Sequence, residues 1–172
     1  HQCQKVIDII KADPKRRVIV VSAPGKRTPG GHKVTDMLYL THQLATIDMG
    51  GNEVFSSIAE RYLNIRNGLG LAYPIEDDLD TVKQAIFDGA EADYCASRGE
   101  YLCARLLAAA LDFEFVDAAE IVRFTEAGDL DLALSQKLAA KRLQEGCYVV
   151  PGFYGADEAG KIVTFSRGGS DI

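Results

Sequence analysis

The chain of 172 residues lacks the features that would direct it to a membrane or to the secretory pathway. No apolar run approaches the roughly 20 residues that a membrane-spanning helix needs. The first residues, His-Gln-Cys-Gln-Lys, lack the apolar stretch of a secretory signal. We therefore expect a cytoplasmic protein with no membrane partner.

An excess of positive charge is also missing. The sequence has 19 lysines and arginines against 25 aspartates and glutamates, which gives a formal net charge of -6. A protein of this charge repels polyanions as a whole, so the composition argues against a nucleic-acid partner. The negative net charge is still compatible with a local basic site that binds a small anion.

Cysteine and histidine are few and do not form a metal-binding pattern. No two of the four cysteines are spaced as C-x-x-C, and the three histidines do not cluster with them at ligand spacing. We therefore expect no metal site and four free thiols that are buried or partly buried. The cysteines are Cys3, Cys95, Cys103 and Cys147.

Familiar nucleotide-binding and nucleophile motifs are absent as well. The dipeptide Gly25-Lys26 does not belong to a P-loop, because Val20 stands where that motif needs its first glycine. The sequence has no G-x-G-x-x-G fingerprint, no His-Arg-Asp triplet and no recognisable grouping of serine, histidine and aspartate. The common dinucleotide-binding, P-loop and protein-kinase classes are therefore excluded.

The sequence does contain an alternation of helical patterns and short apolar strands. With 47% hydrophobic and 26% charged residues, the chain can bury a core. The run Val18–Val21 is typical of a strand buried on both faces of a parallel sheet. The patterns predict strands at 18–21, 113–116 and 148–150, a hairpin over 152–165, and helices at 6–11, 35–50, 54–69, 75–86, 99–111 and 130–144. This order predicts an α/β layered domain.

The segment from Thr164 to Asp171 is the strongest local signal of a binding site. A strand runs into two glycines followed by a helix-capping pair, which presents backbone N–H groups to an anion. Arg167 adds a fork that fits a carboxylate or a phosphate. A plain strand-to-helix turn with a solvated arginine explains the pattern equally well.

Two further residues have both a structural and a functional interpretation. Glu100 follows Ser97-Arg98-Gly99 at the predicted start of a helix, where an acid commonly complements the helix dipole. In a cleft, the same carboxylate could hold a substrate ammonium group. Thr35 ends the glycine-containing loop over 22–35, and its hydroxyl could cap a helix or bond a substrate.

Taken together, the motifs resemble the aspartokinases, a group within the amino acid kinase family. The similarity extends over nearly the whole chain in the family's order. It is carried by Lys5-Val6-Ile7-Asp8-Ile9-Ile10, the segment from Val18 to Lys26, the segment from Lys33 to Leu40, Ser97-Arg98-Gly99-Glu100, Pro151-Gly152-Phe153-Tyr154-Gly155 and the segment from Phe165 to Asp171. The resemblance implies a three-layer α/β/α sandwich of the carbamate kinase-like type with a mainly parallel, incomplete sheet.

The resemblance also implies an activity. In this group the side-chain carboxylate of L-aspartate attacks the γ-phosphate of ATP bound with magnesium and gives 4-phospho-L-aspartate, the first step toward lysine, threonine and methionine. Catalysis of this kind depends mostly on positioning and charge neutralisation. The implied partners are L-aspartate, ATP and further copies of the same chain in a homo-oligomer.

Residue roles follow from the resemblance position by position. Arg167 would grip the α-carboxylate of aspartate and Glu100 would receive its ammonium group, while the Thr35 and Ser170 hydroxyls complete the pocket and Phe153 forms its wall. The residues expected near the reacting groups are Ser22, Gly168, Gly169 and Asp171. Ser22 and Ala23 would lie close to the phosphates.

The chain also departs from the pattern of this group. Members begin with a strand and a Lys-Phe-Gly-Gly loop that holds the transferring phosphate, and they continue into a nucleotide-binding half and regulatory ACT domains. None of these is found within residues 1–172, so we expect part of one catalytic domain, inactive in isolation. The alternatives are another amino acid kinase, acting on glutamate, acetylglutamate or a nucleotide monophosphate, and a non-catalytic binding module.

Overall fold

The computed structural model describes residues 2–26 and 29–166. Within these ranges the chain forms seven helices and five strands. The helices are α1 (Gln2–Lys11), α2 (Val34–Thr46), α3 (Asn52–Gly68), α4 (Ile75–Phe87), α5 (Ala92–Leu111), α6 (Ala118–Ile121) and α7 (Leu132–Arg142). The strands are β1 (Val18–Val21), β2 (Glu114–Phe115), β3 (Tyr148–Pro151), β4 (Tyr154–Ala156) and β5 (Ile162–Thr164).

The strands form a parallel sheet in the order β1-β3-β2 and a separate antiparallel hairpin of β4 and β5. In the sheet, Val18 is paired with Tyr148 and Val21 with Pro151. Every residue of the central strand β3 is buried, because β3 has a neighbouring strand on each side and side chains packed on each face. The predicted α/β class with a mainly parallel sheet is confirmed.

Apolar clusters lie on both faces of the sheet. Val149 packs with side chains of α1 and α5 on one face. Its neighbours Tyr148 and Val150 point the other way and pack with α6 and the hairpin. The described residues therefore form the layered α/β/α arrangement that the sequence predicts. A third cluster joins α2, α3, α4 and α5.

The prediction that β1 is buried on both faces is wrong for the described residues. Val18 is 47% exposed and Val20 is 65% exposed, whereas Ile19 and Val21 are partly buried. The burial alternates because Ile19 and Val21 pack toward α1 and α5, and no described element covers the opposite face. A continuous run of β-branched residues therefore does not show by itself that both faces are covered.

Helix α5 begins earlier than the sequence pattern predicts. It starts at Ala92, not near Gly99, so Ser97-Arg98-Gly99-Glu100 lies within the helix. All four of these residues are buried. The interpretation of Glu100 as an acid of the first helical turn is therefore wrong, and the carboxylate needs another explanation.

The other predicted helices and strands are present, with ends shifted by a few residues. Helix α2 ends at Thr46, before the Gly50-Gly51 pair that was expected to end it. The short helix α6 was not predicted, although Asp117 caps it in a complete capping box with Glu120. The four cysteines are free and buried or partly buried, as expected. No helix in the described part of the chain is long and apolar enough to cross a membrane.

Candidate substrate pocket

A polar pocket of about 430 Å³ lies where α2 begins, beside the middle of α5 and the start of the hairpin. Two of the parallel strands, β1 and β3, end close to it, because Ala23 and Phe153 follow their last residues. Carboxyl ends of parallel strands are the usual location of ligand sites in α/β domains. The pocket is lined by Lys33, Thr35, Asp36, Tyr39, Glu100, Phe153, Phe165 and Ser166.

Glu100 is the buried acid of this pocket, with 6% of its surface exposed. Its Oε1 accepts a hydrogen bond of 3.1 Å from the backbone N–H of Ala23. Its Oε2 is buried and has no hydrogen-bond partner. Burial raises the pKa of the Glu100 carboxyl to about 7, against the opposing effects of the Ala23 hydrogen bond and the positive charge of Arg98. A cationic ligand group would donate a hydrogen bond to the unpartnered Oε2 and compensate the buried negative charge.

Gly99 allows helix α5 to approach the end of β1 closely enough for this contact. A Cβ at position 99 would lie 2.9 Å from the Cβ of Ala23, which is closer than two carbons can pack. On the other side, the hydroxyl of Tyr62 donates a hydrogen bond of 2.7 Å to the Gly99 carbonyl. The glycine thus places the Glu100 carboxylate within reach of the Ala23 N–H.

Phe153 has a left-handed backbone conformation, with φ of 77°. This conformation is uncommon for a residue with a side chain and frequently marks functional sites. The Phe153 carbonyl accepts a hydrogen bond of 2.8 Å from the Phe165 N–H, which closes the hairpin at the pocket. The carboxylate of Asp93 accepts another from the Thr164 N–H at 3.0 Å and ties the hairpin to α5.

Thr35 lies in the first turn of α2, half-buried on the pocket wall. The residue at the N-cap position is Lys33, and no side chain caps this helix. The alternative that Thr35 serves as the helix cap is therefore wrong. Its hydroxyl is on the wall of the same pocket as the Glu100 carboxylate.

The structure brings together three of the residues that the sequence proposed for substrate binding: Thr35, Glu100 and Phe153. Ala23 joins them through its backbone N–H. Ser22 is exposed at the end of β1 and lines a different, mainly apolar cavity of about 310 Å³ near α1. The remaining proposed site residues lie outside the described residues: Arg167, Gly168, Gly169, Ser170 and Asp171.

Several lining residues were not proposed from the sequence. Tyr39 follows Thr35 by four residues and Asp36 by three, so the helical repeat of α2 brings the Tyr39 side chain close to both. With Thr35 as a candidate, this spacing could have predicted Tyr39 as a further lining residue. Phe165 and Ser166 come from the far end of the hairpin and had no comparable signal.

The described residues hold no grouping of three histidine, cysteine or acidic side chains that could bind a metal ion. In the pocket, the acids Glu100 and Asp36 are accompanied by the cation Lys33. Such a mixture of charges suits a small zwitterionic ligand better than a metal ion. The fold and the pocket together define the class of protein, which is an α/β domain with a polar pocket at the carboxyl ends of its parallel strands.

Comparison with known proteins identifies the family within this class. The chain belongs to the amino acid kinase family, whose model matches residues 1–172.

The similar proteins are aspartokinases. Aspartokinase 3 of Bacillus subtilis (strain 168) is 33% identical over 186 residues, covering 99% of this chain and 41% of that protein. The aspartate kinase of Clostridium acetobutylicum has a TM-score of 0.96 at 42% identity, covering 99% of this chain and 40% of that structure. E. coli aspartokinase III, solved in complex with lysine and aspartate, has a TM-score of 0.78 at 25% identity, covering 98% of this chain and 41% of that structure. The chain spans about two fifths of the length of these relatives.

Proposed function

We propose that this chain is part of the catalytic domain of an aspartokinase, which phosphorylates the side-chain carboxylate of L-aspartate. The proposal is supported by family membership over residues 1–172 and by similarity to aspartokinases from Bacillus subtilis and Clostridium acetobutylicum. The product, 4-phospho-L-aspartate, would enter the biosynthesis of lysine, threonine and methionine in the cytoplasm. We also propose that copies of the protein assemble into a homo-oligomer.

The observation that carries the proposal is the unpartnered Oε2 of Glu100 in the wall of the pocket. A buried carboxylate oxygen without a partner is costly, and a ligand ammonium group removes that cost by donating to it. The cavity of about 430 Å³ has room for an amino acid. We therefore assign the substrate ammonium to Glu100 and a hydrogen bond from the substrate to the Thr35 hydroxyl.

The other roles follow the sequence analysis. Phe153 would form the apolar wall of the pocket, and its backbone conformation fixes the direction of the ring. Arg167 would bind the α-carboxylate through its planar fork, with the Ser170 hydroxyl beside it. Gly168, Gly169 and Asp171 would shape the loop around the reacting groups.

The proposed reaction transfers one phosphoryl group. An oxygen of the aspartate side-chain carboxylate forms a bond to the γ-phosphorus of ATP, the bond from that phosphorus to the bridging oxygen breaks, and ADP leaves with the electron pair. Ser22 and Ala23, at the carboxyl end of β1, would lie near the phosphates. Because the described residues contain no cluster of metal ligands, we assign no side chain to the magnesium ion.

Glu100 also discriminates against one alternative substrate. The nitrogen of acetylglutamate is an uncharged amide, so it offers no ammonium group to the unpartnered carboxylate oxygen. Leaving a buried charge without a partner penalises such a ligand strongly. Glutamate keeps the ammonium group and differs from aspartate by one methylene, which is worth about 1 to 3 kcal/mol of discrimination in a fitted pocket.

The experiment that tests the proposal is a substrate panel with the full-length protein. Acyl phosphate is trapped with hydroxylamine in the presence of ATP and magnesium, with L-aspartate, L-glutamate and N-acetylglutamate as acceptors. We expect turnover with aspartate, and a large loss of aspartate affinity in Glu100→Gln. Glu76→Gln serves as the control, because Glu76 is exposed on α4 and paired with Arg66 outside the pocket. Turnover of another acceptor in preference to aspartate contradicts the proposal.

A further inference from the structure

Arg98 is a buried cation at the back of the site, with 5% of its surface exposed. Its guanidinium carbon lies 4.4 Å from the ring centroid of Tyr94 and 4.5 Å from that of Tyr101. Both tyrosines belong to α5, four residues before and three residues after Arg98, so the helical repeat places them on either side. The ring of Tyr154, from β4, lies 5.2 Å away. Three aromatic rings thus surround one guanidinium.

The buried guanidinium of Arg98 is hydrogen-bonded to a neutral hydroxyl, whereas a buried arginine is commonly paired with a carboxylate. Its Nε and Nη2 donate hydrogen bonds of 3.1 and 2.9 Å to the Ser97 hydroxyl. No carboxylate within the described ranges forms an ion pair with it. Aromatic faces attract a desolvated cation, but they do not neutralise it as a carboxylate does. Arg98 therefore keeps a positive charge whose field reaches neighbouring groups.

Arg98 connects the two elements that carry Phe153 and Glu100. On one side, Tyr154 follows Phe153 directly in the chain, and its hydroxyl is fixed by a hydrogen bond of 2.8 Å to Asp117. On the other side, Glu100 is two residues after Arg98 in the same helix. An arginine stacked on Tyr154 thus holds the hairpin that carries Phe153 against the helix that carries Glu100.

We propose that Arg98 is a positioning residue of the pocket, which fixes Phe153 relative to Glu100 through its cage of tyrosine rings. The proposal goes beyond the proposed function because Arg98 does not line the pocket. The positive charge of Arg98, two residues before Glu100 in the same helix, also favours the ionised form of the carboxyl. The consequence for a substrate ammonium group rests on the proposed function.

The titratable and charged groups around Glu100 come from α2, α3 and α5. From α2, Lys33, Asp36 and Tyr39 line the same pocket. From α3, Tyr62 lies on the other side of Gly99. Within α5 the neighbours are Cys103 and Arg98. Burial raises the pKa of Glu100, and hydrogen bonds from the backbone N–H groups of Ala23 and Glu100 lower it. Among the side chains around it, Arg98 adds a further, smaller lowering through its positive charge.

The test uses full-length protein with Arg98→Met and Arg98→Lys. We measure kcat and KM for L-aspartate at saturating ATP from about pH 6 to about pH 9, and we follow the ¹³C carboxyl signal of Glu100, assigned with Glu100→Gln. For Arg98→Met we expect the pKa of Glu100 to rise and KM at neutral pH to rise several-fold, with kcat little changed. Arg98→Lys restores the titration, but KM only in part, because an ammonium group does not stack on rings as a guanidinium does.

Arg105→Met is the matched control. Arg105 lies on the same helix, over the rings of Tyr73 and Phe115 and, at 6.0 Å, over the outer side of the Arg98 cage at Tyr101. It is paired with Asp78 and does not line the pocket. We expect this control to leave the titration of Glu100 and KM for aspartate unchanged. Equal effects of Arg98→Met and Arg105→Met would overturn the inference.

Further outcomes separate this inference from the proposed function. An unchanged Glu100 titration in Arg98→Met overturns the electrostatic role of Arg98, whether or not aspartate is the substrate.

The clamp is the contact by which Arg98 holds the Tyr154 ring of the hairpin against α5. If Arg98→Met does not fold, Tyr154→Leu tests the clamp, because this variant removes the Tyr154 ring and leaves the charge of Arg98. We expect Tyr154→Leu to raise KM for aspartate without moving the Glu100 titration, and an unchanged KM overturns the clamp. If the wild type phosphorylates another amino acid, the proposed function fails and the same titration still decides the role of Arg98.

Discussion

At the scale of single residues, the ionisation of Glu100 predicts how the binding of aspartate depends on pH. The pKa of this carboxyl is raised to about 7, chiefly by burial. Below that pH the carboxyl is protonated and can no longer pair with an ammonium group. We expect the affinity for aspartate to fall about tenfold for each unit of pH below about 7 and to level off above it.

Calorimetric titration of the full-length protein with L-aspartate, in buffers of different ionisation heats, measures this dependence. Because the bound ammonium lowers the pKa of Glu100, binding near neutral pH should release a proton. Glu100→Gln should remove both the proton release and the pH dependence, while Glu76→Gln should keep them. Wild-type binding that is independent of pH over this range would show that Glu100 does not receive the ammonium group.

Gly99 gives a second prediction at this scale. In Gly99→Ala the new methyl would lie 2.9 Å from the Cβ of Ala23 and 3.4 Å from Cγ1 of Val34, so helix and strand end must move apart. Overpacking of this kind costs about 1 to 3 kcal/mol of unfolding free energy, and the better helix propensity of alanine offsets up to about 1 kcal/mol of it. Denaturant unfolding measures it, with Gly25→Ala as the control because no atom lies within 4 Å of its Cβ position. Equal stability of the two variants would contradict the close packing of Gly99.

At the scale of elements, helix α5 shows what could be predicted from the sequence and what could not. Its existence and its end at Leu111 followed from the apolar spacing. Its start was placed too late because glycine is a poor residue for a helix interior, with a cost of about 1 kcal/mol relative to alanine. Tertiary contacts of Gly99 with Ala23 and Tyr62 outweigh that preference. Local propensity contains no information about such contacts.

The link between α3 and α5 gives an element-scale prediction. The Tyr62 hydroxyl is buried and donates to the Gly99 carbonyl at 2.7 Å. Tyr62→Phe removes this hydrogen bond without changing the ring, so we expect a loss of about 1 kcal/mol in unfolding free energy. Ser56→Ala is the control, because the exposed Ser56 hydroxyl donates to the Asn52 carbonyl within α3. A loss in Tyr62→Phe no greater than in Ser56→Ala would show that the link contributes nothing.

At the scale of the whole molecule, the alternation of helices and strands predicted the layers correctly, but it did not predict the pocket. Thr35, Glu100 and Phe153 come from α2, α5 and the start of the hairpin. Their meeting depends on the parallel pairing of β1 with β3, which brings two strand ends to one place. The resemblance to a family suggested these residues individually. The burial of Glu100 and the cage around Arg98 required three-dimensional packing, which no local pattern expresses.

The stability of the whole molecule should also reflect the buried acid. The folded-state pKa of Glu100 is raised from 4.5 to about 7. Its contribution to the free energy of unfolding is therefore fully present below about pH 4.5 and is lost as the pH rises through about 7. This shift corresponds to a loss of up to about 3 kcal/mol across that window.

Unfolding by urea from about pH 5 to about pH 8 measures the effect as a difference in slope between variants. Glu100→Gln has no titrating group at this position, so its stability should fall less with rising pH than that of the wild type. Glu76→Gln should follow the wild type over this range, because the pKa of Glu76 is lowered by its hydrogen bonds to Arg66 and its titration lies at lower pH. Saturating L-aspartate should recover most of the stability lost by the wild type near pH 8 and little in Glu100→Gln, because a bound ammonium group partners the carboxylate oxygen that is otherwise unpaired. Parallel curves for the wild type and Glu100→Gln would mean that the carboxyl ionises in the folded state as easily as in the unfolded chain, and the ammonium assignment would lose its physical basis.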